Sequence, residues 1–206
     1  MSSIFAKPST PVKNQFGQSV LFFHGLEGSV NGSKANWLKE NWGALCPPLR
    51  TEKIKKLAAN KGSRGWLSID KDDIEEALEP VVSDAIDAVN YSKPDIIIGS
   101  SMGGAVLFKL LMEEAVDLDS CSPIFLAPAI SELIRPKSVI PTMQNSFWLL
   151  GETDRVVNNR ANIELCKKCN GNLFFSPGDG HRLSRALTNG LIDGAILSAI
   201  ESRANF

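Results

Sequence analysis

Short, uninterrupted apolar runs alternate along this chain with stretches in which apolar residues return every three or four positions. The runs are Ser19-Val20-Leu21-Phe22-Phe23, Ile96-Ile97-Ile98, Pro123-Ile124-Phe125-Leu126-Ala127, Ser146-Phe147-Trp148-Leu149-Leu150 and Asn172-Leu173-Phe174-Phe175-Ser176. A strand tolerates apolar side chains at every position when it is covered on both faces, so each run predicts a strand inside a parallel sheet. Ala44-Leu45-Cys46, ended by Pro47-Pro48, predicts one more short strand.

The helical stretches fall between the strands. Ser33 reads as the N-cap of a helix through Asn36 to Trp42, and Glu52 to Asn60 as a short basic helix. Asp70 or Asp72 starts a longer one, with Ile74, Ala77, Leu78, Val81, Val82, Ala85, Ile86 and Val89 at helical spacing. Pro80 lies inside that pattern and predicts a kink or break near Glu79. Further helices are expected from Met102 to about Glu114, from Asn158 to Cys169 and from about Leu183 to Ser202. Strands alternating with helices predict an α/β fold: a doubly wound, mainly parallel sheet of about six strands. Numbered along the chain, the expected order is 2-1-3-4-5-6, with Ile96–Ile98 central.

Residues 1–18 read as an N-terminal arm and 19–206 as one domain, without internal repeat or linker. The segments able to cover a site, Arg50 to Ile69 and Ala129 to Gln144, are too short for a cap domain. Either can form a flap, so the site is expected to be open and shallow, with Trp66 and Ile130 lining it.

Composition narrows the class of function. The 206 residues are 43% hydrophobic and 22% charged, with a formal net charge of −1. That is an ordinary globular composition, and it carries no overall basic field for nucleic acid or an anionic membrane. The first residues, Met1 to Pro8, show no apolar core of a signal peptide, and no apolar run is long enough to span a bilayer. The expected location is therefore cytoplasmic, with Cys46, Cys121, Cys166 and Cys169 as reduced thiols.

The central run leads into Gly99-Ser100-Ser101-Met102-Gly103, a G-x-S-x-G elbow. Its chemistry needs a sharp strand-to-helix turn that lifts Ser101 Oγ above the sheet. Side chains larger than hydrogen at Gly99 and Gly103 would collide with the neighbouring strand and helix. Other strand ends carry matching residues: Asp154 after the fourth strong run, His181 after the fifth, and His24-Gly25-Leu26 after the first. Ser, Asp, His is the chain order of an α/β-hydrolase triad. A serine hydroxyl needs a base, which His181 can supply, and Asp154 can fix the imidazole tautomer. The backbone N–H groups of Met102 and Leu26 are the candidate oxyanion donors.

Other features have plainer readings. His24 shapes the loop after the first strand. Asp179, two residues before His181, is a rival orienting acid, although a carboxylate so close in sequence points away. Cys166-x-x-Cys169 falls on an amphipathic helix without a second such pair, and reads as half-buried packing. Gly28 to Lys34 does not match a phosphate-binding loop, since the lysine follows serine, and it reads as oxyanion loop running into a helix. Lys53, Lys55 and Lys56 form a solvated helix face.

Taken together, Phe23-His24-Gly25-Leu26-Glu27-Gly28-Ser29, Gly99-Ser100-Ser101-Met102-Gly103-Gly104, Ala127-Pro128-Ala129, Gly151-Glu152-Thr153-Asp154 and Gly178-Asp179-Gly180-His181-Arg182 resemble a small α/β-hydrolase. Ser33-Lys34-Ala35 with Leu38 belongs to the same set. The nearest likeness is to the YqiA-like bacterial esterases, and more distantly to palmitoyl-protein-type serine thioesterases. The resemblance spans residues 19 to about 200. It implies hydrolysis of small-molecule acyl esters or thioesters through an acyl-serine, with no metal or cofactor. Glu27 departs from the pattern, because an acid beside the oxyanion loop opposes developing negative charge. Two alternatives stand beside this reading: a hydrolase or acyltransferase of the same fold acting on another acyl bond, and a non-catalytic binding module. The sequence leaves the oligomeric state open.

Overall fold

Five parallel strands lie side by side in the order in which the chain makes them. They are β1 (Val20–Phe23), β2 (Ile96–Ser100), β3 (Ser122–Leu126), β4 (Phe147–Gly151) and β5 (Asn172–Ser176). The computed structural model describes residues 13–60, 65–135 and 139–204. Most of the expected arm (1–12), part of the loop after Asn60 (61–64) and residues 136–138 of the expected flap lie outside them. The sixth expected strand is reduced to one bridge on the outer edge of β1. There Leu45 N–H donates to Val20 O at 2.8 Å and Phe22 N–H donates to Leu45 O at 2.9 Å. Pro47 and Pro48 have no N–H with which to extend it. Counting that bridge, the expected order holds.

Apolar residues alternate between two cores along each strand. Leu21, Phe23, Ile97, Phe125 and Trp148 face one core, with α2 (Glu52–Ala59), α3 (Lys71–Ser92), α4 (Met102–Met112) and α6 (Asn159–Lys168). Val20, Phe22, Ile96, Ile98, Ile124 and Leu149 face the other, beneath α1 (Ser33–Trp42) and α7 (Leu191–Ala204). β1 to β4 are buried at every position, which explains why they are apolar apart from Ser100 and Ser122. β5 departs from that rule. It is an edge strand, with Phe174 40% and Phe175 44% exposed, so its apolar run does not mark a strand covered on both faces.

Several helix boundaries differ from expectation. Ser33 is the first helical residue of α1, while Gly32 holds the cap position without a side-chain cap bond. Asp70 does cap α3, accepting from Asp72 N–H. α3 runs through Pro80 without interruption. Ala77, Leu78, Val81 and Val82 are buried around the proline, and that packing outweighs the roughly 3 kcal/mol a helical proline costs. The last helix begins at Leu191 instead of Leu183. Leu183 has φ +51° and Gly190 φ +82°, and the N–H groups of Arg185 and Ala186 are taken by Asp179, so no helix can run there.

The short α5 (Ile130–Leu133) follows β3 at the site end of the sheet. It is pinned rather than loose. Lys71 Nζ donates to the carbonyls of Ser131 and Glu132 at 2.9 and 2.7 Å, and Asn158 N–H donates to Glu132 Oε1 at 2.8 Å. Among the described residues no helix is long and apolar enough to cross a membrane.

Candidate active site

Ser101 joins β2 to α4 with φ 54° and ψ −116°. A non-glycine residue in this region costs on the order of 1–3 kcal/mol and persists only where its surroundings hold it. Here Ser101 N–H donates to Leu126 O at 3.0 Å, and Ser101 O accepts from the N–H groups of Gly104, Ala105 and Ala129. Close packing imposes glycine on either side. A Cβ at Gly99 would lie 2.6 Å from Gly103 O, and one at Gly103 would run into the Phe23 carbonyl. β1 therefore ends directly against the first turn of α4.

That contact brings the loop after β1 against Ser101. A Cβ on Gly25 would meet Ser101 Cβ at 3.1 Å and Ser100 O at 3.3 Å. Among the described residues, neither Leu26 N–H nor Met102 N–H has an acceptor. Leu26, in this loop, and Met102, at the start of α4, line the same cavity as Ser101. His24 is buried beneath them, its Nδ1 2.9 Å from Gly25 O. Burial depresses its pKa, the Gly25 carbonyl works the other way, and the nearby Lys55 adds to the depression. It braces the loop, and among the described residues no hydrogen bond joins it to Ser101.

His181 reaches the serine from the loop after β5. Its Nε2 lies 2.8 Å from Ser101 Oγ and its Nδ1 2.9 Å from Asp154 Oδ2. Asp154 comes from the loop after β4, and its side chain is fully buried. Its other oxygen accepts from Val156 N–H at 2.8 Å and Val157 N–H at 3.2 Å. Burial opposes its charge, but the His181 hydrogen bond and these backbone donors outweigh burial and hold its pKa below the ordinary carboxylate range. With Asp154 ionised, Nδ1 carries the imidazole proton and Nε2 is left to accept from the serine.

Asp179 does something else. Its carboxylate accepts from Ser176 Oγ at 2.8 Å, Arg185 N–H at 3.1 Å and Ala186 N–H at 2.9 Å. It folds the loop that carries His181 without touching the imidazole. Burial raises its pKa, and the bonds from Arg185, Ser176 and Ala186 bring it below the ordinary value. A carboxylate with a lower pKa when folded stabilises the protein above its unfolded pKa, and that contribution is lost as pH falls through the folded value. The stability gap between wild type and Asp179→Asn, read as urea midpoints, should thus be largest near neutrality and shrink below about pH 4. A gap that stays constant into acid would contradict this role.

No protein-family model matches this sequence, and no curated protein matches it. Solved structures do. A protein described as a hydrolase of the α/β superfamily from Xanthomonas campestris pv. campestris superposes with a TM-score of 0.59 at 14% identity, over 92% of this chain and 98% of its own. The Bacillus cereus carboxylesterase gives 0.58 at 15% identity over 92% of each chain. Est1E from Butyrivibrio proteoclasticus gives 0.57 at 15%, over 92% and 89%. The chain has the α/β-hydrolase fold. At these identities the likeness speaks for fold alone.

In this hydrolase fold a cavity of about 830 Å³ opens above Ser101 at the carboxyl ends of the strands. Trp66 lines it, as expected. Ile130 does not: α5 turns its side chain fully into the core, and Ala129 and Leu133 border the cavity instead. Glu27 borders it while exposed. Sequence reasoning missed Lys34, Glu132, Val156 and Arg182 as lining residues. Arg182 follows the candidate base directly, and Lys34 closes the loop after β1, so adjacency to the motifs was the available signal. The four cysteines are buried away from this site. Burial pushes the Cys166 and Cys169 thiols up to about 11 and about 12, which leaves them little thiolate character.

Proposed function

We propose that the protein is a serine hydrolase of carboxylic esters or thioesters. The observation that carries this reading is the single imidazole placed 2.8 Å from a strained serine and 2.9 Å from a buried carboxylate. His181 Nε2 takes the Ser101 proton as Oγ attacks the acyl carbon. The resulting oxyanion is stabilised by Leu26 and Met102 N–H, and His181 then protonates the leaving alcohol or thiol. Water, activated by the same imidazole, hydrolyses the acyl-serine. Asp154 keeps the ring in the required tautomer and balances the imidazolium. Side chains and water complete the cycle, in line with the resemblance to YqiA-like esterases.

The strain at Ser101 favours catalysis over a purely binding role, since a scaffold gains nothing from a serine held at φ 54°. Ester and thioester cleavage are preferred over amide cleavage or acyl transfer on the weight of the resemblance. A fluorophosphonate probe should modify one residue, Ser101, as read by peptide mass spectrometry. The unmodified protein should hydrolyse members of a panel of 4-nitrophenyl esters and acyl thioesters. Absence of both labelling and turnover in folded protein would overturn the proposal.

A further inference from the structure

The two halves of the cavity differ in chemistry. Trp66, Leu133 and Val157 border it from the side of the core beneath α3 and α4. Phe22, Ala35 and Leu187 border it from the side beneath α1 and α7. Lys34, in the first turn of α1, and Arg182, beside His181, belong to this second half. Both cations line the cavity, and among the described residues neither has a hydrogen-bond or ion-pair partner.

Lys34 is half-buried. Burial pushes its pKa below the ordinary lysine value, the Asp179 carboxylate counters that, and the Arg182 guanidinium adds to it. Asp179 is the nearby acid, but its oxygens are taken by Ser176, Arg185 and Ala186. Glu27 lines the same cavity, yet it is exposed and forms no ion pair with Lys34. An ammonium withdrawn from water needs a countercharge or hydrogen-bond acceptors. Asp179 supplies a countercharge, but among the described residues no oxygen accepts a hydrogen bond from Lys34 Nζ, and Lys34 lines the substrate cavity.

We propose that Lys34, with Arg182 beside it, forms a subsite for an anionic group, a carboxylate or a phosphate, on the ester or thioester that Ser101 cleaves. The proposal rests on the serine-hydrolase reading and adds the charge of the substrate. Both groups offer several oxygen acceptors to a point ammonium and a planar guanidinium. The apolar half bordered by Trp66, Leu133 and Val157 then holds the uncharged part of the substrate.

The test compares charged esters with neutral counterparts. 4-Nitrophenyl hydrogen adipate against 4-nitrophenyl methyl adipate places the charge on the acyl half. 4-Carboxyphenyl butyrate against 4-carbamoylphenyl butyrate places it on the leaving half, and 4-phosphonooxyphenyl butyrate substitutes phosphate for carboxylate. At least one charged ester should exceed its neutral counterpart in kcat/KM by about 30-fold, the scale of one charge-assisted hydrogen bond. Lys34→Met should bring that ratio close to one, Lys34→Arg should keep most of it, and Arg182→Gln, at an exposed position, should lower it in part. A purely structural Lys34 would depress charged and neutral esters together and leave the ratio intact, which overturns the proposal. So does a wild type without preference in any pair, and in both cases the serine-hydrolase reading stands. If no ester is cleaved and Ser101 takes no fluorophosphonate, that reading fails and this one fails with it.

Discussion

Ser101→Ala is expected to lower turnover of every ester substrate by about 10⁶-fold, the loss a single triad deletion causes in a well-studied serine protease. His181→Ala should fall by a similar factor, and the double variant should be little worse than either single one. The reason is geometric. One imidazole nitrogen faces Ser101 Oγ, so removing the nucleophile idles the base and removing the base leaves a weak nucleophile. Multiplying effects would mean that the two residues act independently. Stability separates two replacements of the same residue. Alanine inherits the φ of 54° and its strain, whereas glycine does not. Ser101→Gly should therefore melt above Ser101→Ala by an amount corresponding to about 1 kcal/mol. Both variants should lose fluorophosphonate labelling. If Ser101→Ala keeps wild-type turnover, the chemistry lies elsewhere and the elbow is only a turn.

Asp154→Asn is expected to cost on the order of 10⁴-fold in kcat, as in the serine-protease case, and the structure supplies the reason. Val156 and Val157 N–H both donate to Oδ1. An asparagine keeps its carbonyl oxygen at those donors and so turns its NH₂ toward His181 Nδ1. That nitrogen must then accept, the proton moves to Nε2, and the imidazole can no longer take the serine proton. Asp179→Asn should behave in the opposite way, losing stability while the folded fraction keeps most of its turnover. Measured together on folded protein, the two variants decide which aspartate orients the base. Loss of turnover in Asp179→Asn with near-normal Asp154→Asn would reverse the assignment.

Much of this was legible in the chain. β1 to β4 could be read because a buried strand has no polar alternation to hide it. The elbow could be read because close approach admits only hydrogen at Gly99 and Gly103. The order of the strand-end residues followed from the parallel topology. What stayed hidden depended on tertiary context. Leu183, Ala186 and Leu187 carry helical spacing, but Asp179 draws the intervening N–H groups into its own loop. Pro80 looked like a break until the packing around it was known. Phe174 and Phe175 look as buried in sequence as Phe22 and Phe23, yet they lie on an edge. The direction of Ile130 depended on which way one short turn faces, and nothing local sets that. Lys34 looked like part of a helix start, because its half-burial in the cavity wall and its neighbours Asp179 and Arg182 are set by the tertiary fold.

The chain-order sheet bears on assembly. Each strand from β2 onward adds to the edge left by its predecessor, so a chain emerging from the ribosome can build the sheet in one direction. The elbow closes once β3 is in place, because Leu126 and Ala129 supply its anchoring hydrogen bonds. The carboxylate arrives with the loop after β4 and the imidazole only with the loop after β5. A nascent chain therefore carries a shaped elbow serine with no imidazole beside it until the loop after its last strand docks. That docking adds the edge strand, and α7, which follows it in the chain, then covers the second core, so the three side chains come together only in the last stage of folding.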